Sequence, residues 1–128
     1  MREEGDPGWD IRERTLEYGL RAVRLHQALQ EQDDRAGWTV ARQFLRSATS
    51  VGANIAEAQA AESRADFVHK FALAQKEARE SLYWLQLLQK SGIVAGQRLS
   101  GLIDETEELI SVISSILIST KRGAGGRE

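Results

Sequence analysis

Apolar and polar positions along most of this chain follow the three-four spacing of an amphipathic helix rather than the two-residue spacing of a strand. Four such stretches can be marked. The first covers residues 9–32, with Leu16, Leu20, Val23 and a Leu25/Leu29 pair predicted on its inner side. The polar run EQDDRAG then breaks the pattern. The second covers residues 38–61, where Phe44, Ala48, Val51, Ile55 and Ala58 step by three or four. Ser63-Arg64-Ala65-Asp66 has the Ser-x-x-acid form of a capping box, which predicts the start of a third helix. Phe67, Phe71, Ala74, Ala78, Leu82, Leu85 and Leu88 continue it, and Gly92 in KSGI is the predicted stop. The fourth covers residues 97–120.

The run LISVISSILIS in the fourth stretch is rich in β-branched residues and reads as a strand on propensity alone. Spacing decides otherwise. Leu99, Leu102, Thr106, Leu109, Ile113, Ile116 and Thr120 keep the three-four step, which a strand does not produce. Four long helices on short links fold most simply as an all-α, up-down-up-down antiparallel four-helix bundle. Residues 1–8 are expected to be a flexible N-terminus, residues 9–120 the bundle, and the glycine-rich KRGAGGRE of residues 121–128 a disordered tail.

Two helices carry more apolar surface than one bundle seam needs. Ile103, Ile110 and Leu117 repeat every seven residues beside the main seam. Tyr83, Trp84 and Leu87 widen the third helix in the same way. An arc that wide is normally buried on two sides, so Trp84, Leu87, Ile103, Ile110 and Leu117 are the expected oligomer interface.

Composition narrows the classes. The chain has 128 residues and no cysteine, which fits one domain and removes disulfides, thiolate nucleophiles and cysteine-rich zinc sites together. No run approaches the roughly 20 apolar residues of a membrane span, and the acidic MREEGDPGWD start is not a secretory signal. The cytoplasm is the expected location. The formal net charge is −2, which argues against a uniformly basic, nucleic-acid-coating surface. The distribution is less even. Bases outnumber acids from Arg35 to Arg98, and Asp104, Glu105, Glu107 and Glu108 invert the balance afterwards. The plain reading of such patterns is solvated helix faces. If nucleic acid is gripped, Arg42 and Arg46, one turn apart, with Lys76 and Arg79 are the expected contacts, since phosphate contacts add up around an oligomer. Glu77 and Glu80 occupy the same turns and offer the alternative of ion pairing.

Candidate chemistry is sparse. Ser47, Ser50, Asn54 and Glu57 form a polar stripe beside the second helix's seam, next to the small residues Gly52, Ala53, Ala56 and Ala58. Asn54 and Glu57 are expected to bond across to a neighbouring helix and fix its register, because buried polar groups find partners; lining a ligand or proton-transfer site is the alternative. A carboxylate-bridged metal site would need paired acid-x-x-His steps on facing helices. Asp66-Phe67-Val68-His69 supplies one, and no second exists. No phosphate loop, nucleophile elbow or HExxH occurs. The expectation is a non-enzyme with no cofactor and no metal.

The stretch SVGANIAEAQAAESRADFVHKFALAQKEARESLYWLQLL closely resembles the four helix bundle protein family, also called the 23S rRNA intervening sequence protein family. The matching motifs are Asn54 to Gln59, Ser63 to Phe67 with Ser63 and Asp66, Lys76 to Glu80 with Glu77 and Glu80, and Tyr83 to Leu85. Many relatives carry proline where Gly52 stands and glycine where Ala58 stands. The resemblance implies a non-enzymatic four-helix bundle assembling as a ring-like homopentamer. It further implies two kinds of relative: proteins encoded inside inserts of 23S rRNA genes, and accessory variability proteins of diversity-generating retroelements, which bind a reverse transcriptase and nucleic acid. The expected function is therefore that of an oligomeric accessory protein binding RNA or DNA, or a nucleic-acid enzyme such as a reverse transcriptase. The alternative is a structural scaffold with a protein partner and no nucleic-acid affinity.

Overall fold

In the computed structural model, residues 7–125 are described, and they form four helices with no strand among them. They are α1 (Pro7–Gln30), α2 (Arg35–Ala58), α3 (Arg64–Lys90) and α4 (Gly96–Gly125). Helix α1 opens on Pro7, where a missing N–H costs nothing. Residues 1–6 and 126–128, part of the expected flexible N-terminus and tail, lie outside the described residues. Helix α4 runs to Gly125, past the expected end at residue 120.

Local chemistry sets the ends. Asp34, inside the predicted breaker, is extended and its carboxylate accepts from the Gly37 N–H at 2.9 Å, starting α2 before the expected residue 38. Ser63 does the same for α3, accepting from Asp66 N–H at 3.0 Å. Each satisfies one of the helix's unpaired first-turn donors. Gly92 has φ +78 beyond the end of α3, a conformation glycine adopts without penalty. Trp38 adds a clamp, its indole N–H reaching the carbonyls of Leu29 at 3.0 Å and Gln32 at 2.7 Å.

Short links at residues 31–34, 59–63 and 91–95 fold each helix back on its predecessor. Contacts run α1–α2, α2–α3, α3–α4 and α4–α1, giving a closed antiparallel bundle. The core is a set of heptad seams. Helix α2 buries Gly37, Ala41, Phe44, Ala48, Val51, Ile55 and Ala58; α3 buries Phe71, Ala74, Ala78, Ser81, Leu85 and Leu88. Helix α4 contributes Leu99, Leu102, Thr106, Leu109 and Ile113. Helix α1 departs from expectation. Its buried positions are Ile11, Thr15, Tyr18, Ala22 and Leu29, whereas Leu16, Leu20 and Val23, expected inside, face outward. The inner stripe keeps the same spacing with polar and small members, so the aliphatic residues misplace the phase.

One core layer is polar and takes a residue from every helix. Tyr18 of α1 bonds Thr106 of α4 at 2.6 Å, and Ser47 of α2 bonds Ser81 of α3 at 2.8 Å. Burial pushes the Tyr18 phenol up to about 12, with the Thr106 and Ser81 hydroxyls drawing it partly back. Thr106 also donates to the Leu102 carbonyl at 2.7 Å and Ser81 to that of Glu77 at 2.9 Å. Thr106 is thus satisfied without Tyr18, while the phenol's other hydroxyl neighbour, Ser81, is already bonded to Ser47 and the Glu77 carbonyl. Tyr18→Phe should therefore cost about 0.5–1.5 kcal/mol, and Thr106→Val, which leaves the buried phenol only that shared hydroxyl, about 1–3 kcal/mol. Urea unfolding midpoints of the two variants check the order.

Candidate functional site

The α2/α3 seam carries most of the residues singled out from the sequence. Arg46 of α2 pairs with Glu80 of α3, and its Nη1 lies 3.5 Å from Glu77 Oε1. The Trp84 indole N–H donates to the same Glu80 carboxylate at 2.9 Å. That indole bond first, and Arg46 second, hold Glu80 below the usual carboxylate range; the bond to Glu80 raises Arg46. Arg46 is accordingly neutralised within the chain, unlike the free phosphate contact expected of it. Arg42, Lys76 and Arg79 are exposed and make no ion pair among the described residues. Bases and acids interleave here, so no continuous basic stripe forms.

The polar stripe of α2 divides. Ser47 reaches α3 through Ser81, and Glu57 accepts from Lys70 Nζ at 2.7 Å, which raises Lys70. Ser50 and Asn54 turn inward on their own helix. Ser50 donates to the Arg46 carbonyl at 2.9 Å, and the Asn54 amide donates to the Ser50 carbonyl at 2.9 Å. The expected cross-helix bond of Asn54 is corrected: the amide finds a partner one turn back before it reaches α3. His69 and Asp66 gather no further ligands, and no group of three or more His, Cys, Asp or Glu among the described residues could hold a metal.

The apolar surface also moves. Leu117 is only 7% exposed and belongs to the core, which corrects its expected interface role. Trp84, Ile103 and Ile110 are half-buried and packed against that core, Trp84 beside Glu80 on the α2/α3 seam. Leu87 remains exposed, beside Tyr83. The larger apolar surface lies elsewhere, on α1, where Leu16 is 72%, Leu20 42% and Val23 37% exposed. They wall an open groove of about 760 Å³ against Gly52, Ala53 and Ala56 of α2. Gly52 lets the helices approach, since a Cβ there would sit 3.1 Å from the Thr15 carbonyl oxygen. Ile11, Thr15, Tyr18, Ala22 and Leu29 share their helical spacing with this outer stripe, so spacing alone does not say which of the two faces in.

The 23S rRNA-intervening sequence protein family matches residues 10–115, which span all four helices. The chain belongs to that family. A crystal structure from Bacteroides thetaiotaomicron, of a protein with unknown function from the S23 ribosomal protein family, is similar at 34% identity and a TM-score of 0.82. The match covers 88% of this chain and 98% of that one. No curated protein matches. No helix among the described residues is long and apolar enough to cross a membrane.

Two outcomes follow from the seam. Glu80 is held ionised in the folded state, so its contribution is complete above the ordinary carboxylate value of about 4.3 and is lost as pH falls through its lowered folded value. Glu80→Gln should flatten that acid limb in urea unfolding run across pH, while an amide oxygen still accepts from Trp84. Asn54→Leu should shift the midpoint by only about 0.5 kcal/mol or less, because its lost bond strands no buried group; calorimetry at one concentration checks it.

Proposed function

We propose that this protein is a non-enzymatic accessory bundle that works as a homo-oligomeric scaffold in the cytoplasm, with five copies as the number its family resemblance implies. The observation that carries this reading is the exposure of Leu16, Leu20 and Val23 in mid-helix beside an apolar groove. A folded monomer gains nothing from three large aliphatic side chains in water, and contiguous patches of that kind mark interaction surfaces. Light scattering at micromolar concentration should give a multimeric mass for the parent. Leu16→Glu/Leu20→Glu should reduce it to the monomer without loss of helical signal, because both sites lie outside the core. A monomeric parent would sink the reading.

A second reading, binding of RNA, DNA or a reverse transcriptase, is favoured by the exposed Arg42, Lys76 and Arg79, which have no ion-pair partner among the described residues. Arg46, held by two glutamates, adds little. Charge reversal at Arg42 and Arg79 should then weaken gel shifts of every RNA or DNA alike and flatten their salt dependence. No shift by the parent at low salt removes this reading and leaves the scaffold standing.

A further inference from the structure

Three bases on the outer face of α3 are left without a carboxylate. Lys76, Arg79, Tyr83, Leu87 and Lys90 step by three or four residues, so they share one side of the helix, and all five are exposed. From Lys76 to Lys90 this ridge is about 21 Å long at 1.5 Å per residue. None of its bases forms an ion pair among the described residues. Glu77 and Glu80 break the run in sequence but are taken up elsewhere. Arg46 of α2 pairs with both, and the Trp84 indole donates to Glu80. Lys76 adds only the smallest of the pulls that hold Glu80 ionised.

Two large apolar side chains stand amid that charge. Tyr83 is 56% and Leu87 38% exposed, one turn apart. Tyr83 is propped edge-on against Trp84, ring centres 4.9 Å apart, and Glu80 fixes Trp84 in turn. The apolar pair thus has a firm base. Tyrosine and arginine are enriched in protein contacts and supply many of their strongest points. A polyanion would use the bases and leave Leu87 idle.

We infer that this ridge docks an acidic amphipathic segment of a different protein. The segment's apolar residues cover Tyr83 and Leu87, and its flanking Asp or Glu side chains meet Lys76, Arg79 and Lys90. A second copy of this chain offers no such surface among the described residues. Its exposed Asp104, Glu107 and Glu108 have no large exposed apolar neighbour on α4. Ile118, the large exposed apolar residue of α4, lies about three turns farther on, beside Lys121 and Arg122. The aliphatic row of α1 has Arg12 as well as Glu17 on its rim, so its charge is mixed. The ridge also stays clear of that row. Helices α1 and α3 each pack on α2 and α4 and not on one another, so docking on α3 does not depend on the self-assembly proposed above.

The test is fluorescence anisotropy with a labelled peptide of about 16 residues, long enough to span the ridge. It carries leucine at helical spacing with glutamate on either side, and is compared with its scrambled sequence and with labelled single-stranded RNA. The full-length protein should bind the ordered peptide at least about tenfold tighter than the scrambled one. Tyr83→Ala/Leu87→Ala and Lys76→Glu/Arg79→Glu should each weaken that binding by about tenfold or more, with helical signal unchanged. No preference for the ordered peptide over the scrambled one, or tighter binding of the RNA, would mark at most a charge-only site and overturn the inference. Ordered-peptide binding that both double variants leave intact would overturn it too. Light scattering supplies the last arm. Tyr83→Glu/Leu87→Glu should leave the parent's mass unchanged, and a fall in mass would make the ridge a contact between copies instead.

Discussion

A hydroxyl buried in a helical core must find a partner or cost about 1–3 kcal/mol, and this bundle places four of them in one layer. Tyr18, Ser47, Ser81 and Thr106 come one from each helix, and they bond in the pairs Tyr18–Thr106 and Ser47–Ser81. Apolar seams repeat every heptad, so a helix sliding by one repeat loses little apolar contact. A hydroxyl layer does not repeat, and a slipped helix would set Tyr18 against aliphatic neighbours. The layer thereby selects one register out of several that packing alone leaves nearly equal, the role best attested for buried polar groups in helical assemblies.

Register in turn decides what the outside carries. With Ser47 facing Ser81, Arg46 stands opposite Glu77 and Glu80, and Trp84 closes on the same carboxylate from α3 itself. The α1/α2 contact is set by a different constraint, the 3.1 Å that a Gly52 side chain would leave to the Thr15 carbonyl. That closeness turns Thr15 inward and Leu16 outward in adjacent positions. Core polarity and surface apolarity on α1 are thus two sides of one rotation: the helix keeps its phenol and threonine inside at the expense of three aliphatic residues.

That rotation is also where the sequence misleads. The seams of α2, α3 and α4, the Ser63 cap and the Gly92 stop are all legible, because each has a single apolar stripe or an unambiguous end signal. Helix α1 has two stripes of equal spacing, and periodicity gives the step but not the phase. Hydrophobicity then favours Leu16, Leu20 and Val23, and only Tyr18 pairing with Thr106, far along the chain, reverses the choice. Leu117 fails for a related reason: a seven-residue repeat with Ile103 and Ile110 holds in sequence, yet the third member lies closer to the core. Asn54 and Arg46 illustrate a further limit. Whether a polar side chain turns back on its own helix or crosses to another depends on interhelical distance, which no single helix encodes.

The exposed bases on α3 bring these threads to one question, because a surface can be covered only once. Lys76, Arg79 and Lys90 surround Tyr83 and Leu87 on the same ridge. If a second protein covers the apolar pair, the bases lie at its edge and little positive charge is left for a polyanion on that ridge. If instead a polyanion covers the bases, two large apolar side chains remain beneath a highly hydrated partner, which is poor complementarity for both. Burying an apolar pair within a rim of charge is the usual anatomy of a protein–protein contact, whereas phosphate recognition asks for a continuous basic track. Glu77 between Lys76 and Arg79, with Glu80 just beyond, interrupts that track on α3. The arrangement of this ridge therefore suits a protein surface better than a phosphate backbone.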